Sequence, residues 1–204
     1  KEWAVLRSLC DPEVEMRATK LQSRRNERRD RIISAATELA LKGYDACQIR
    51  SVAAAAGMSA STVYQYFPSK DDLLLACFHE WLWDFETEYR CVTSDVDPFH
   101  RLLQVSLTLT DRLCSSPQFA AAMIRPYLYA DGAAAIQADL VRRQTVRIFI
   151  RSVGGEQSAA REIGAAEILS DVWMSNLAAF AQKRIAAGEL ARRITRTVGL
   201  LKGR

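Results

Sequence analysis

The sequence predicts an all-α protein, and three observations lead to that prediction. Apolar residues recur every three or four positions along most of the chain, which is the spacing of one face of a helix. Glycine or proline stands where these stretches begin or end, as at Gly43, Gly57 and Pro98. No segment alternates apolar and polar residues in the convincing way that predicts a β-strand.

Length and composition are those of an ordinary globular protein. The chain has 204 residues, enough to bury a proper core, with 49% hydrophobic and 25% charged residues. No apolar run approaches the roughly 20 residues of a membrane span, and the first residues lack a signal-peptide pattern. We therefore expect a cytoplasmic protein with no membrane partner.

Positive charge is concentrated near the N-terminus. The segment 17–31 holds seven basic residues against Glu27 and Asp30, a local excess of five, whereas the whole chain carries a net charge of +4. The basic residues are Arg17, Lys20, Arg24, Arg25, Arg28, Arg29 and Arg31. Such a segment attracts phosphate, or it is simply the solvated start of a helix.

Three helices are predicted next. Apolar spacing predicts a helix over 24–42, stopped by Gly43, and a short one over 48–56. A third short helix is expected over about 60–65, with Ser59 as its N-cap.

The outer face of the third helix is unusual, because Val63 and Phe67 would face the core and leave hydroxyl, amide and tyrosine side chains outward. Two short helices joined by a tight turn, the second polar outside, form a helix-turn-helix. The second helix of such a unit enters the DNA major groove, where small polar side chains reach base edges and tyrosine hydroxyls reach phosphates.

The motif A-x-x-A-G-M-S-x-S-T-V-Y-x-Y-F-P-S-K-x-x-L over residues 53–73 resembles the DNA-binding signature of TetR-family transcriptional regulators. The resemblance implies a three-helix DNA-binding domain, a larger helical ligand-binding domain, and a homodimer that leaves its double-stranded operator when a small molecule binds. With the basic segment, the expected DNA contacts are Arg24, Arg25, Arg28, Arg50, Ala60, Ser61, Thr62, Tyr64, Tyr66 and Lys70. Ala60 departs from members with a longer polar residue, so only a methyl contact is expected there.

The chain is expected to divide into an N-terminal extension (1–20), the helix-turn-helix domain (21–68) and a ligand-binding and dimerisation domain (69–204). Ser69 is expected to cap a fourth helix, with Asp72 placed for a capping box. The expected inward face of this helix consists of Leu74, Phe78, Trp81, Leu82 and Phe85. The resemblance implies that this helix transmits the ligand signal to the DNA-binding domain.

Further helices are expected to start at Pro98 and Pro117, each after an N-cap residue, and Pro126 is expected to kink the second of them. The longest helix is expected over about 156–187, stopped by Gly188. A last helix over 189–201 would carry the stripe Leu190, Ile194, Val198 and Leu201.

The predicted longest helix is apolar nearly all round between Ile168 and Phe180, which indicates burial on two sides. We expect it to form a four-helix dimer interface with the last helix and the partner's copies. Replacing Val198 and Leu201 with charged residues should then give monomers. A dimer also predicts an inverted-repeat operator.

Segments 123–135 and 168–180 resemble the KstR-type branch of the family, repressors of sterol catabolism whose effectors are cholesterol-derived acids or their coenzyme A thioesters. The residues themselves indicate a large hydrophobic interior that suits such an effector. The expected effector contacts are Trp81, Phe85, Leu103, Met123, Tyr127, Trp173 and Asn176. A stripe of such residues at helical spacing is more often core than pocket, and for Asn176 an amide satisfied by the backbone is the favoured explanation.

Other classes of function fit the sequence less well. No nucleophile with a base, paired acids, metal cluster or phosphate loop is visible, so we expect no enzyme, metal or cofactor. Cys47, Cys91 or Cys114 could make the protein a thiol-oxidation sensor that binds DNA, although no basic neighbours single out a reactive thiol. A lipid carrier without regulation would leave the motif at 53–73 unexplained.

Overall fold

The computed structural model describes residues 12–89 and 97–203, without the side chains of residues 12–21, 133 and 156. The described residues form α-helices and two single 3₁₀ turns, at Tyr44–Ala46 and Gly155–Gln157, and the expectation of an all-α fold is confirmed. The helices are α1 (Pro12–Ala40), α2 (Ile49–Ala56), α3 (Ala60–Tyr66), α4 (Lys70–Glu88), α5 (Pro98–Cys114), α6 (Pro117–Leu128), α7 (Gly132–Val153), α8 (Ala160–Ala181) and α9 (Ala187–Lys202).

Helix α1 begins well before the predicted residue 24. Pro12 stands at its first position, where a missing N–H costs nothing, and good helix formers without glycine or proline fill 13–23. The helix therefore runs through the expected boundary at residues 20 and 21, so the division into three segments stays a prediction. Residues 1–11, the first part of the expected N-terminal extension, lie outside the described residues.

Helix α4 is the central element of the fold. Its residues from Asp72 to Phe78 are all buried, so its first half has no solvent face, whereas a single inward stripe was expected. The reason is that α4 packs against α1 on one side and against α6 and α7 on others. One helix therefore carries the DNA-binding helices and also forms the core of the helical domain.

The predicted helix 156–187 is shorter than expected, and Gly188 does not stop it. Helix α8 ends at Ala181, and Gly188 lies in the first turn of α9. Lys183 takes the left-handed conformation with φ of 58°, and the N–H of Arg184 donates to the carbonyl of Ala179 at 2.9 Å. This is a Schellman ending, which glycine normally makes, so no residue type in the sequence marks it.

The expected stripe of α9 faces the protein's own core. Leu190 and Ile194 are fully buried and Val198 is 4% exposed, because α9 packs on α5 and α8 of the same chain. The expected effect of charged residues at Val198 and Leu201 on a dimer stays a prediction, but the Val198 change does not test the interface alone. Such a change would disrupt the fold of one protomer.

The proline signals of the helical domain hold for the helix starts, and the kink expected at Pro126 stays a prediction. Helices α5 and α6 begin at Pro98 and Pro117, and the Asp97 carboxylate caps α5 by accepting from the N–H of His100 at 3.1 Å. Ser116 makes no equivalent bond. Pro126 lies in the last turn of α6, which ends at Leu128, so the helical run is shorter than expected. Among the described residues, no helix combines the length and apolar character needed to cross a membrane.

Candidate DNA-binding surface and effector domain

The turn between α2 and α3 is fixed by one glycine and one arginine. Gly57 takes the left-handed conformation with φ of 67°, and a Cβ there would lie 3.1 Å from Arg31 Nη2. The same guanidinium donates to the carbonyl of Ala56 at 2.5 Å, at the C-terminal end of α2. Arg31 was counted with the phosphate-attracting residues; it is exposed, and one of its guanidinium nitrogens also holds this turn.

Helix α3 is anchored on one side and open on the other. Val63 is fully buried and Phe67 is 3% exposed, as the sequence predicts. Tyr64 is 54% exposed, and Ser61 is also exposed. Three other expected contacts, Ala60, Thr62 and Tyr66, are half-buried.

Ser59 organises the hydroxyl groups at the start of α3. Its oxygen accepts from the N–H of Thr62 at 3.1 Å and so caps the helix. The hydroxyls of Ser61 and Thr62 each lie 2.8 Å from it. These three side chains form one small polar cluster at the exposed end of the helix.

Basic residues of α1 lie against the C-terminal end of α3. The guanidinium of Arg25 stands 6.0 Å from the centre of the Tyr66 ring, and that of Arg29 stands 5.7 Å from the Phe67 ring. Arg24 and Arg28 are exposed on the same helix, and Arg50 is exposed in the first turn of α2. The structure thus brings Arg25 and Tyr66 together from segments 41 positions apart in sequence.

Lys70, an expected phosphate contact, lies against an aromatic ring that sequence reasoning did not single out. Its ammonium is 3.5 Å from the centre of the Tyr44 ring, and Arg125 of α6 lies 4.1 Å from the same ring. The Tyr44 hydroxyl donates to Asp71 at 2.7 Å. Burial, together with this hydrogen bond, raises the pKa of Tyr44 to about 12, and burial lowers the pKa of Lys70. Tyr44 therefore joins the start of α4 to α6.

The expected effector contacts do not surround one open cavity. Met123 and Trp173 are fully buried, and the Trp173 indole N–H donates to the Thr110 hydroxyl at 2.9 Å. The Asn176 amide donates to the carbonyl of Val172 at 2.8 Å, which is the backbone satisfaction considered above. Leu103 and Tyr127 are half-buried and pack against the core.

Trp81 and Phe85 line two different cavities. Trp81 lies in a cavity of about 290 Å³ between α1 and α4, here called the α1–α4 cavity. Phe85 lies in a cavity of about 460 Å³ between α4, α5 and α7, here called the α4–α7 cavity. Its other lining residues are Glu86, Thr87, Tyr89, Val105, Ile148, Arg151 and Ser152.

Glu86 connects the two long helices beside the α4–α7 cavity, and sequence reasoning missed it. Its carboxylate accepts from Arg147 at 2.6 Å, Arg151 at 2.7 Å and Gln144 at 2.7 Å, all on α7. Burial opposes the charged form, but these hydrogen bonds outweigh it and lower the pKa of Glu86. The signal in the sequence was a pair of arginines four positions apart on α7, whose partner on α4 only the packing identifies.

The described thiols give no support to an oxidation sensor. Cys47, Cys77 and Cys114 are buried, and burial raises the pKa of Cys47 and Cys114 to about 11 and that of Cys77 to about 12. Because the thiolate is the reactive form, these thiols are poorly placed for oxidation. Cys91, also considered as a sensor, lies outside the described residues.

Two protein-family models match the chain, and between them they cover the helix-turn-helix and the helical domain. Residues 32–77 match the model of bacterial regulatory proteins of the tetR family. Residues 96–201 match a tetracyclin repressor-like C-terminal domain.

Individual proteins agree with these matches. The transcriptional repressor KstR of Rhodococcus jostii is 34% identical over 178 residues, which cover 87% of this chain and 84% of that protein. A TetR regulator from Rhodococcus sp. RHA1 has a similar structure, with a TM-score of 0.77, 25% identity, and coverage of 86% of this chain and 95% of that one.

A more distant structure, FadR of Thermus thermophilus in complex with lauroyl-CoA, shares the fold. Its TM-score is 0.60 at 20% identity, over 83% of this chain and 92% of that one. The family matches, the KstR relative and the helical architecture together assign this protein: it belongs to the TetR family of bacterial regulatory proteins and is a regulator of the KstR type.

Proposed function

We propose that this protein is a homodimeric repressor that binds an inverted-repeat operator through α2 and α3 and releases it when a bulky hydrophobic effector enters the helical domain. The observation that carries this proposal is the outer face of α3. Exposed Ser61 and Tyr64 stand above a buried anchor of Val63 and Phe67, with the exposed arginines of α1 beside them.

The chemistry of each side chain on this surface indicates whether it suits a base edge or a phosphate. Small hydroxyl side chains at the start of α3 suit base edges and thymine methyls in the major groove. The Tyr64 hydroxyl and the arginines of α1 suit phosphate oxygens, which fix register and supply attraction independent of sequence. Lys70 would join them once its ammonium leaves the Tyr44 ring.

The route from effector to operator runs through α4 in this proposal. Lys70 and Asp71 at its start hold Tyr44, while Glu86 near its end holds α7. A change in the packing of the helical domain therefore shifts the helix that carries the DNA-binding end. A rigid helix with contacts at both ends is the kind of element that couples two sites.

The effector proposed is a sterol-derived acid or its coenzyme A thioester. Its support is the resemblance to the sterol-catabolism branch and the 34% identity with KstR. The Thermus thermophilus FadR structure, which holds lauroyl-CoA, supports the idea that this fold can enclose a lipid thioester.

The function is tested by selecting genomic DNA fragments with the purified protein, in the presence and absence of steroid acids and acyl-coenzyme A thioesters. We expect an inverted repeat to be selected and then released by a sterol-derived compound. If DNA is selected but no sterol releases it, the protein is still a DNA-binding regulator, but its effector is not a sterol. Tight lipid binding without any selected DNA would favour a lipid carrier.

The face of α3 is tested by Tyr64→Ala and Thr62→Ala. We expect each to weaken operator binding at least about tenfold, because removal of a base or phosphate contact typically costs 1–3 kcal/mol. Thermal unfolding should change much less. Tyr129→Ala is the matched control, because Tyr129 is a 73% exposed tyrosine of the helical domain. Unchanged operator affinity in both α3 variants would contradict the assigned face.

A further inference from the structure

The α4–α7 cavity is lined by both apolar and charged residues. The rings of Phe85 and Tyr89 stack with centres 5.3 Å apart and planes 11° apart, and Val105 and Ile148 add further apolar lining. Glu86 and Arg151 supply its charged lining. At about 460 Å³ the cavity falls in the size range of small-molecule sites, and this mixed lining suits an amphipathic molecule.

Among the described residues around Glu86, arginine charge exceeds carboxylate charge. Glu86, with a side chain only 8% exposed, is shared between Arg147 and Arg151. Close by, Glu88 is paired with Arg112 at 2.5 Å, and this ion pair adds no net charge. An anionic group would meet a favourable field here.

Arg151 is the arginine best placed to accept a new partner. Its side chain is 66% exposed, and among the described residues it uses one donor, Nη1, on Glu86. A guanidinium has five N–H donors arranged for bidentate pairing with a carboxylate or phosphate. Glu86 would keep Arg147 and Gln144 if Arg151 turned to a ligand, so no buried charge would be left unpaired.

We propose that the α4–α7 cavity binds the acidic end of the effector, and that Arg151 receives its carboxylate or phosphate in place of Glu86. This rests on the proposed function, in which the helical domain binds an effector. The apolar body of the effector lies against Phe85 and Tyr89. Because Glu86 belongs to α4 and Arg151 to α7, the exchange removes one of the bonds that tie these helices together. Binding is thereby linked to the helix that leads to Lys70.

The α1–α4 cavity is a poor alternative for an anion. Four carboxylates line it, from Asp30, Glu38, Glu80 and Asp84, and none of its lining residues among those described is basic. An acidic ligand would be repelled there, whereas the α4–α7 cavity offers guanidinium groups.

The experiment measures calorimetric binding of a steroid carboxylic acid and a long-chain fatty acid to the full chain, each also as its methyl ester and its coenzyme A thioester. We expect an acid or a thioester to bind about tenfold tighter than the ester, the effect of a charge-assisted hydrogen bond in a partly enclosed site. The free acid carries only a carboxylate and the thioester only phosphates, so these two arms identify the anion. No binding by any acid or thioester, or an ester that binds as tightly as both the acid and the thioester, overturns the proposal.

Variants assign this preference to the arginine. In Arg151→Ala, the acid or thioester should bind no more than about threefold tighter than the methyl ester. Arg151→Lys should restore part of this preference, because lysine keeps the positive charge but lacks the planar guanidinium that pairs with two oxygens. Arg143→Ala, on the same helix and paired with Asp139, is the control and should keep the full preference. Glu86→Gln should bind the anionic probes more tightly than wild type, because it removes their competitor. Loss of the preference in Arg143→Ala as well, or its survival in Arg151→Ala, contradicts the assignment.

Operator binding by the same variants is measured by fluorescence anisotropy. This measurement distinguishes failure of the anion site from failure of the repressor function on which it rests. If the wild-type protein binds its operator and is released equally well by acid, ester and thioester, the repressor function stands and the anion site is excluded. If the protein binds no operator but still prefers the acid through Arg151, the anion site stands and the repressor function is excluded.

Discussion

Lys183 has the one left-handed backbone conformation that a residue other than glycine adopts among the described residues. Its φ of 58° brings its Cβ close to the following carbonyl, at a cost that glycine avoids. The position is exposed, so burial of the lysine side chain does not offset this cost. It marks the turn at which the chain leaves α8 and starts α9.

Replacing Lys183 with glycine should therefore stabilise the protein. We expect a gain of about 0.5–1 kcal/mol in the free energy of unfolding, measured by urea denaturation, because relief of strain outweighs the extra entropy of the unfolded chain. Gln182→Gly is the matched control: its φ of −83° suits any residue, so glycine there should destabilise the protein. If both variants lost stability equally, the strain at Lys183 would be absent.

At the scale of the element, α1 combines two roles. It buries Ile32, Ile33 and Ala36 in the core of the DNA-binding helices, and it presents exposed arginines one to three turns earlier. Arg31 also holds the turn between α2 and α3, whereas Arg24, Arg25 and Arg28 are exposed in the turns before it.

Removing Arg24, Arg25 and Arg28 together should weaken binding to every DNA sequence. The slope of log affinity against log salt should become shallower by about 0.9 for each phosphate that the variant no longer neutralises. Fluorescence anisotropy at several salt concentrations measures this slope. Arg142→Ala with Arg143→Ala removes charge from α7 instead and should leave the slope unchanged. An unaltered slope in the α1 variant would exclude this segment from the phosphate contacts.

Helices α4 and α7 are joined by a bond that depends on pH. The pKa of Glu86 is lower in the folded protein than its ordinary value near 4.5, despite its burial, because arginine and glutamine side chains hold the charged form. A lowered folded-state pKa means that the contribution to stability is complete above the ordinary pKa. It is lost as the pH falls from there through the folded-state value.

We therefore expect Glu86→Gln to cost about 1–2 kcal/mol of unfolding free energy at pH 7, since a nearly buried charge pair loses one partner. The difference from wild type should shrink below about pH 4.5. Urea denaturation at a series of pH values measures it. Asp139→Asn breaks the exposed pairs of Asp139 with Arg142 and Arg143 and should cost less than about 0.5 kcal/mol. A cost for Glu86→Gln that stays constant down to pH 3 would contradict this account.

For the whole molecule, α8 and α9 carry large apolar side chains that the described residues leave exposed. Hydrogen bonds from Arg161 to the carbonyl of Leu201, and from Arg193 to Asn176, fix the two helices side by side and antiparallel. Ile168 is 53% exposed and Leu200 is 74% exposed on these two helices. Such apolar exposure on neighbouring helices is typical of a dimer interface.

Charged residues on the outward positions should separate the dimer that we propose. Ile168→Glu combined with Leu200→Glu should give folded monomers by light scattering, because two glutamates of each protomer would be buried without partners. Ile136→Glu is the control: Ile136 is 67% exposed on α7 and should leave the dimer intact. A dimer that persists in the double variant would place the interface elsewhere.

Much of the fold could be read from local signals. Helical spacing, Gly57, Ser59 and the prolines before α5 and α6 act within a few residues of themselves, so the positions of α2, α3, α5 and α6 followed from the sequence. The signals failed where a helix ended without glycine, at Lys183, and where nothing stopped α1 from extending back to Pro12.

The sequence by itself determined an all-α chain, a helix-turn-helix with Val63 and Phe67 beneath an exposed face, and a basic segment ahead of it. These are properties of neighbouring residues, which need no knowledge of the rest of the fold. Only the tertiary structure decided which face of α9 is buried, that Arg31 closes a turn, that Lys70 rests on Tyr44, and that Glu86 meets the arginines of α7. The last three contacts pair residues 25 to 65 positions apart, and only the packing of helices brings such residues together.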